Sequence, residues 1–269
     1  MTPAVSVIVP LYNKTLWIDR CLESIARQTY TDYEVIVVAD ALDAGTASIC
    51  ALHLREQDVF IKRNGRSGPA ESRNVGMSLA RGEWVIFLDD DDTFKPHHLE
   101  TTHRRITQPL KPADSKARVL YSDCEVLTED RAKKPIPQLS RATIPLHVQP
   151  IEKLHVNNFI PNNVLVYHRL VLEGCRVDPH LDSLEDWDFL LSVCQKSMPC
   201  YYEGGGAVIH KDYVNPGTRR GNSEAAKNDT VLVDFIHIYR RWRAPTPELQ
   251  AQRGALIAST GMAAPAAWF

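Results

Sequence analysis

The 269-residue sequence lacks any apolar run long enough to cross a membrane. Its apolar stretches, such as residues 35–39 and 84–88, are far shorter than the roughly 20 residues that a transmembrane helix needs. The apolar run at residues 5–11 is too short and too early for a signal peptide, and no basic segment precedes it. We therefore expect a cytoplasmic address.

The sequence also lacks an excess of positive charge. Its formal net charge is −2, so no overall basic field favours binding to nucleic acid. The six cysteines are scattered, with no pair at Cys-x-x-Cys spacing, which predicts reduced structural thiols and no zinc site. What remains is an ordinary globular composition, 44% hydrophobic and 24% charged, in a chain long enough for a large core.

The first 125 residues alternate between strand and helix patterns. Four apolar runs, at residues 5–9, 34–39, 59–62 and 84–88, are separated by segments with helical spacing, and Pro10 is expected to end the first strand. Near-continuous apolar strands joined by helices predict a mostly parallel α/β sheet with helices on both faces.

Polar residues follow three of these strands. Asn13 comes after the first strand, Asp40 after the second, and the acidic run 89–92 after the fourth. Because ligands bind beyond the carboxyl ends of parallel strands, we expect these residues to share one site. Carboxylates suit Mg²⁺ or Mn²⁺, which takes one or two of them plus the phosphates of a substrate. A solvated acidic turn that caps the next helix at Thr93 is the alternative.

The second half of the sequence is less regular. Residues 129–150 contain four prolines and predict a long loop or insertion, and the tail from Pro245 has little pattern. Helical patterns occupy residues 186–196 and 231–242. The second of these carries aromatic and basic residues, which favour either packing on the core or peripheral contact with a membrane surface.

Two further groups in this half have the chemistry of a site. Segment 184–188 places three carboxylates around Trp187 at a helix start. Acidic residues there stabilise the helix dipole, or they supply a general base beside an aromatic wall on which an acceptor stacks. His210, followed by Arg219 and Arg220, either binds a metal or a diphosphate or is structural.

Together these segments resemble the family 2 glycosyltransferases. The first strand continues into Pro10-Leu11-Tyr12-Asn13, which is similar to the family's P-x-Y-N. Residues 72–83 resemble its A-R-N-x-G-x-x-x-A-x-G-E segment, residues 87–92 its F-L-D-x-D-D, and residues 185–189 its E-D-W-D-F. The resemblance runs in order over about residues 4–215.

The resemblance implies a GT-A fold and an inverting mechanism with Mn²⁺ or Mg²⁺ as cofactor. It implies a nucleotide-diphosphate-sugar donor, a UDP-sugar first, and a saccharide or lipid-linked saccharide acceptor in bacterial-type surface polysaccharide or glycoconjugate synthesis. The chain should then divide into a nucleotide-sugar-binding half at 1–125, an acceptor-binding and catalytic-base half at 126–222, and a C-terminal helical tail at 223–269.

The resemblance also implies roles for individual residues. Those assigned to the nucleotide-sugar are Pro10, Tyr12, Asn13, Asp40, Arg73, Asp89 and Asp90. Asp91 is the implied metal ligand, with His210 as a second candidate, and Asp186 is the implied general base, flanked on the acceptor side by Glu185 and Trp187. The family's D-D-G-S-T-D after the second strand is replaced here by Ala-Asp-Ala-Leu-Asp at 39–43, which leaves the nucleobase contacts open.

Two other classes of protein fit parts of the sequence. Asp89-x-Asp91-x-Thr93 matches the D-x-D-x-T signature of haloacid-dehalogenase-type phosphotransferases, whose first Asp is a nucleophile and whose second is a general acid. That signature normally follows the first strand of its sheet, whereas a full nucleotide-binding half precedes it here. A catalytically degenerate sugar-binding module is the non-enzyme alternative, favoured by the altered segment 39–43 and disfavoured by the presence of Asp91 and Asp186.

Overall fold

A computed structural model describes residues 2–12, 15–41, 43–65, 68–108, 117–214, 229–262 and 265. The strands in this part of the chain are β1 (Val5–Tyr12), β2 (Tyr33–Ala41), β3 (Val59–Lys62), β4 (Trp84–Phe87), β5 (Thr93–Phe94), β6 (Val119–Tyr121), β7 (Cys124–Glu129), β8 (Gln138–Ile144), β9 (Leu165–His168), β10 (Cys200–Tyr201) and β11 (Ala207–Asp212). The helices are α1 (Thr15–Ala26), α2 (Ala44–His53), α3 (Pro69–Leu79), α4 (His98–Thr107), α5 (Arg169–Leu172), α6 (Glu185–Cys194), α7 (Asp229–Arg241) and α8 (Pro247–Ser259).

The larger sheet has the strand order β10-β6-β9-β4-β1-β2-β3. β1 runs parallel to β2 and β4, β2 runs parallel to β3, and β10 runs parallel to β6. β9 is antiparallel to both of its neighbours, β4 and β6. The prediction of an α/β fold with a mostly parallel sheet flanked by helices is therefore confirmed.

The prediction that the first strand ends at Pro10 is wrong, because β1 continues to Tyr12. Pairing with β4 stops at Ile8, whereas pairing with β2 continues to the end of the strand. Pro10 lacks an N–H group, and it lies where β1 has one paired neighbour instead of two. A proline is tolerated at such an edge-like position, so the strand carries the chain further toward the carboxyl edge of the sheet.

Helix α3 lies directly on β1. A Cβ atom added to Gly76 would lie 2.3 Å from Cγ2 of Ile8, so the helix approaches the strand through the missing side chain. This close approach fixes the height of α3 above the sheet, and with it the position of Arg73 one turn earlier in the helix.

The smaller sheet has the order β5-β11-β7-β8. β5 is antiparallel to β11, β11 is parallel to β7, and β7 is antiparallel to β8. β5 follows the acidic run directly, so this sheet brings Thr93 beside Val208, near the start of β11. The expected boundary at residue 125 falls inside β7, and both sheets combine strands from both expected halves.

Two segments without a recognised pattern form regular elements. Residues 129–150, for which we predicted a long loop or insertion, contain β8, so the segment is not a structureless loop. β8 is an edge strand whose seven residues are all exposed and therefore show no apolar alternation. The tail from Pro245 contains α8. Its start carries two ordinary signals, namely Pro247 in the first turn and the Thr246 hydroxyl, which accepts a hydrogen bond from the backbone N–H of Leu249.

Helices α6, α7 and α8 enclose a second apolar cluster beside the main core. Its buried members are Leu181, Trp187, Leu191, Leu232, Ile238, Tyr239 and Ile257. The aromatic residues of the helix predicted at 231–242 therefore pack toward α6. Within the described ranges, none of the helices combines the length and apolarity needed to span a bilayer.

Candidate active site

The larger sheet reverses its strand order between β1 and β4, since β2 and β3 lie on the far side of β1. Ligands of α/β proteins bind at such a point, beyond the carboxyl ends of the strands. The acidic run leaves β4 there, and β1 brings buried Pro10 and the backbone of Tyr12 to the same edge. The predicted site residue Asn13 lies outside the described residues.

The four aspartates of the run have different surroundings. The Asp89 side chain is 37% exposed, whereas Asp90, Asp91 and Asp92 are 4%, 5% and 2% exposed as residues. The Asp92 carboxylate accepts hydrogen bonds from the His210 backbone N–H at 2.7 Å and from the side-chain amide of Asn163. Asp92 therefore links the end of β4 to β11 and to the residues just before β9. The assignment of buried Asp90 to the nucleotide stays a prediction.

Asn163 is a site residue that sequence reasoning missed. Its Nδ2 donates to Asp92, and its Oδ1 accepts from the Asp89 backbone N–H at 3.1 Å. It stands just before β9, whose antiparallel direction places the start of that strand at the carboxyl edge of its neighbours. The available signal was an asparagine immediately before the apolar run 164–167, and its place in the site follows only from the antiparallel direction of β9.

Arg73 of α3 joins two distant parts of the site. Its Nη2 donates to Asp89 Oδ1 at 2.9 Å, and its Nη1 donates to Glu185 Oε1 at 3.0 Å. Burial would lower the pKa of the Arg73 guanidinium, but the carboxylates of Asp89, Glu185 and Asp186 raise it. Arg73 is thus a permanent cation with the acidic run on one side and the start of α6 on the other.

Helix α6 begins with Glu185 and the predicted general base Asp186. Leu184, the residue before the helix, has a φ of 59°, a left-handed conformation that is uncommon for a bulky side chain. The Asp186 carboxylate accepts a hydrogen bond from the Trp187 backbone N–H at 2.7 Å. Burial and the neighbouring Glu185 carboxylate raise the pKa of Asp186 to about 6, with Arg73 opposing them. A carboxylate with such a pKa suits a general base near neutral pH.

The prediction that Trp187 forms an aromatic wall for an acceptor is wrong. The indole is fully buried, and its Nε1 donates to the Leu154 carbonyl at 2.8 Å. Its ring contacts Phe235 and Tyr239 at centroid distances of 5.2 and 5.9 Å. Trp187 therefore belongs to the core behind α6. The acceptor-side role of Glu185 stays a prediction.

Asp91 is paired with an arginine that the sequence did not indicate. Arg131 Nη1 donates to Asp91 Oδ2 at 3.0 Å, and its guanidinium lies 4.3 Å from the centre of the Trp17 ring. Its Nε also donates to Glu129 at 2.9 Å. Arg131 lies just after β7 in a segment that we expected to be a loop, so its partners could not be identified from spacing.

The surroundings of His210 favour the structural alternative, and its role as a metal ligand stays a prediction. One ring nitrogen lies 2.9 Å from Thr93 Oγ1 and the other 3.4 Å from Glu129 Oε2, so protein groups engage both. Burial lowers the pKa of His210. Burial alone would raise the pKa of Glu129, but hydrogen bonds from His210 and Arg20 lower it to about 2. Arg219 and Arg220 lie outside the described residues.

The residues present fit a divalent cation that is shared with a substrate. Carboxylate oxygens are the ligands that Mg²⁺ and Mn²⁺ prefer, and Asp89 and Asp91 supply them at the sheet edge. Across the described ranges, no three or more His, Cys, Asp or Glu side chains are grouped so that they could hold a metal by themselves. Because Mg²⁺ commonly takes one or two carboxylates plus substrate phosphates, this set suits an ion held jointly with a diphosphate.

Asp40 occupies the predicted place at the end of β2 but already has protein partners. Its Oδ2 accepts from the Gly68 backbone N–H at 2.5 Å and from Arg63 Nη2 at 3.2 Å. Arg63 also donates to the Gly68 carbonyl at 2.8 Å. The pair therefore anchors the entry to α3, the helix that carries Arg73, and contact of Asp40 with a nucleobase stays a prediction.

Comparison with known families decides the class of protein. Residues 6–154, more than half of the chain, match the family model of glycosyl transferase family 2. The chain belongs to glycosyl transferase family 2. This membership excludes the phosphotransferase interpretation of Asp89-x-Asp91-x-Thr93, and in the structure the Thr93 hydroxyl is bonded to His210.

Individual glycosyltransferases are similar to this chain in sequence or in structure. An uncharacterized glycosyltransferase of Haemophilus influenzae is 30% identical over 197 residues, which are 71% of this chain and 62% of the relative, so the chain spans less than two thirds of that protein. S. aureus TarS 1–349 in complex with UDP-GlcNAc has a TM-score of 0.67 and 18% identity, covering 94% of this chain and 71% of the other. Mannosyltransferase PcManGT from Pyrobaculum calidifontis, in complex with GDP-Man and Mn²⁺, has a TM-score of 0.64 and 18% identity, covering 99% and 78%. At these identities the two structures establish the shared GT-A fold alone.

Proposed function

We propose that this family 2 glycosyltransferase moves a sugar from a nucleotide-diphosphate-sugar to a hydroxyl group, with inversion at the anomeric carbon. One observation carries the proposal. The Arg73 guanidinium bonds both Asp89 and Glu185, which joins the edge suited to a diphosphate to the start of α6, where the next residue, Asp186, has a pKa raised to about 6. The solved relatives that bind UDP-GlcNAc and GDP-Man support a nucleotide-sugar as the donor class.

The proposed reaction is a single displacement. The acceptor oxygen forms a bond to C1 of the donor sugar while the bond between C1 and the diphosphate oxygen breaks. The electron pair leaves with the nucleoside diphosphate, and Asp186 takes the proton of the acceptor hydroxyl. General-base assistance of this kind contributes about 10²–10⁴-fold to a rate. Asp186 is ionised at neutral pH and keeps enough basicity for this role because its pKa is raised to about 6.

A divalent cation, Mn²⁺ or Mg²⁺, would supply stabilisation of the negative charge on the leaving diphosphate. We assign Asp91 as its direct ligand, with Asp89 beside it. The guanidinium of Arg73 keeps the Asp89 carboxylate in place at 2.9 Å. Arg131 shares the Asp91 carboxylate, so its guanidinium is a second positive group next to the proposed diphosphate position.

The substrates follow from the family resemblance. We favour a UDP-sugar as donor and a saccharide or lipid-linked saccharide as acceptor, in bacterial-type surface polysaccharide or glycoconjugate synthesis. A cytoplasmic location, with peripheral membrane contact, belongs to the same proposal. The described aromatic residues of α7 pack on α6, so such contact would use other surfaces of the chain.

A panel of nucleotide-sugars tests the function directly. Thermal shift with and without Mn²⁺ identifies the donor that stabilises the fold, since a ligand that binds only the folded state raises Tm. Release of the nucleoside diphosphate and the anomeric configuration of the product, read by NMR, then test transfer and inversion. A product with retained configuration would refute the mechanism. A donor that binds but is never hydrolysed or transferred would point to the degenerate sugar-binding module.

A further inference from the structure

Helix α7 contacts the chain immediately before the turn that carries Asp186. The Asp234 carboxylate accepts hydrogen bonds from both the backbone N–H and the hydroxyl of Ser183, each at 2.8 Å. Ser183 and Asp234 are 4% and 7% exposed. Two bonds to one residue fix both its backbone and its side chain, so α7 sets the direction from which the chain enters α6.

The same helix and the residue after it contact the turn from the other side. Arg241 Nη1 donates to Asp188 Oδ2 at 2.7 Å, and Trp242 Nε1 donates to Asp188 Oδ1 at 2.8 Å. Arg241 also reaches Asp178 at 2.7 Å. Asp188 is 2% exposed, and burial raises the pKa of its carboxyl group. The hydrogen bonds from Trp242 and Arg241 oppose this effect and stabilise the buried carboxylate.

The segment between these anchors is strained. Leu184 has a φ of 59°, in the left-handed region that is unfavourable for a residue other than glycine. Such a conformation persists only where its neighbours impose it. Ser183, just before Leu184, is bonded to α7. Asp188, four residues after Leu184, is bonded to the last residue of α7 and to the residue that follows it. Behind the turn, the buried Trp187 ring packs against Tyr239 of α7.

We propose that Asp234, Arg241 and Trp242 are positioning residues for Asp186. By holding Ser183 and Asp188, they orient the turn so that Glu185 reaches Arg73 and Asp186 faces the acceptor. The proposal deepens the assignment of Asp186 as general base and rests on it. It gives the C-terminal helices, which lie beyond the family match at 6–154, a part in the chemistry.

The test compares Arg241→Gln and Trp242→Phe with wild type in the full chain. Arg240→Gln is the matched control, since Arg240 is the exposed neighbour on the same helix. Displacement of a catalytic group by about 1 Å can cost about 10²-fold, so we expect kcat to fall about 10- to 100-fold while KM for the donor stays close to wild type. Arg241→Lys, which keeps a cation beside Asp188, should recover part of the loss.

A second readout does not depend on turnover. NMR titration of carboxyl-labelled aspartate, with the Asp186 signal assigned by Asp186→Asn, gives the pKa of Asp186 directly. Arg73, Glu185 and Asp89 are the charged groups that act on it, and a loosened turn would move it toward water. We expect its pKa to fall from about 6 toward the ordinary value in Arg241→Gln and to stay unchanged in Arg240→Gln.

The outcomes separate the two hypotheses. An unchanged Asp186 pKa and an unchanged kcat in Arg241→Gln and Trp242→Phe would overturn the positioning role. So would a loss that merely tracks the unfolded fraction measured by thermal melting, or an equal loss in Arg240→Gln. If wild type transfers no sugar at all, the proposed function fails, and the titration alone still decides whether α7 positions Asp186.

Discussion

The Arg131 guanidinium lies 3.0 Å from the Asp91 carboxylate, so the proposed metal ligand already has a positively charged partner. Both side chains are largely buried, and the stacking of Arg131 on Trp17 at 4.3 Å helps to hold it there. Together with Arg73, which pairs with Asp89 at 2.9 Å, this cation offsets the repulsion among the four consecutive aspartates at the sheet edge. A metal at Asp91 must therefore share that carboxylate with Arg131 or displace it.

Arg131→Met should increase the affinity for Mn²⁺ measured in the absence of nucleotide. Removal of the competing cation leaves the Asp91 carboxylate to the metal, and a gain of about 1.4 kcal/mol would lower Kd about tenfold. Calorimetric titration with Mn²⁺ alone measures this. Arg141→Met is the matched control, because Arg141 is exposed and lies 3.6 Å from Glu125 on the neighbouring strand. Equal Mn²⁺ affinities in wild type and Arg131→Met would contradict competition at Asp91.

Asp91→Ala should abolish metal-dependent donor binding, because it removes the proposed direct ligand of the metal.

Asp186→Asn should retain donor binding and lose turnover by about 10²–10⁴-fold, the usual contribution of a general base. The same change removes a carboxylate whose charge is disfavoured by burial, so the variant should also melt at a higher temperature, by about 2–4 °C for each kcal/mol gained. Asp182→Asn, at an exposed position four residues earlier, serves as control. Normal turnover in Asp186→Asn would show that another group is the base.

The pH dependence should show one acid limb that belongs to Asp186. A general base must be ionised, and burial raises the pKa of Asp186 to about 6, so kcat/KM should fall about tenfold per pH unit below that value and be level above it. Stability should change in the opposite sense. The folded state binds a proton more tightly than the unfolded chain, so this group destabilises the fold increasingly as pH rises from about 4 to 6. A flat activity profile down to pH 4 would exclude Asp186 as the base.

Arg73→Gln should reduce both stability and catalysis. The change leaves Asp89 and Glu185 without their shared partner. The Glu185 side chain is 13% exposed and that of Asp89 is 37% exposed, so the cost should lie between the about 0–1 kcal/mol of an exposed pair and the about 3–5 kcal/mol of a buried one. Urea unfolding measures this cost. Arg176→Gln is the control, because the pair of Arg176 with Glu71 of the same helix α3 is exposed and should contribute only about 0–1 kcal/mol. Comparable losses in both variants would argue against a special role for Arg73.

The strands of the main sheet could be predicted because burial on both faces makes them apolar throughout. Val35 to Val38 is such a run, and its residues are at most 3% exposed. The same geometry predicts that Asp40 and Asp89 emerge at one edge. β8 could not be predicted in this way, since an edge strand with every residue exposed has no pattern for burial to impose.

The contacts within the site could not be predicted, because they join residues far apart in sequence. Arg73 and Glu185 are separated by 112 positions, and Arg131 and Asp91 by 40. Trp187 is an instructive error. Its acidic neighbours suggested an exposed residue, although positions two apart on a helix point to different sides. Glu185 therefore reaches Arg73 while Trp187 enters the core.

Asp92 bonds Asn163, 71 positions later, and His210, 118 positions later. Neither bond can form until the chain has brought β4, β9 and β11 together. The hydrogen bonds of Asp92 beneath the site therefore depend on contacts of high sequence separation. Closing such long loops is slow, and a chain in which only local helices and hairpins had formed would still lack this junction. Nucleotide binding during refolding should therefore appear only with the last, slowest phase, which makes the ligand a reporter of complete folding.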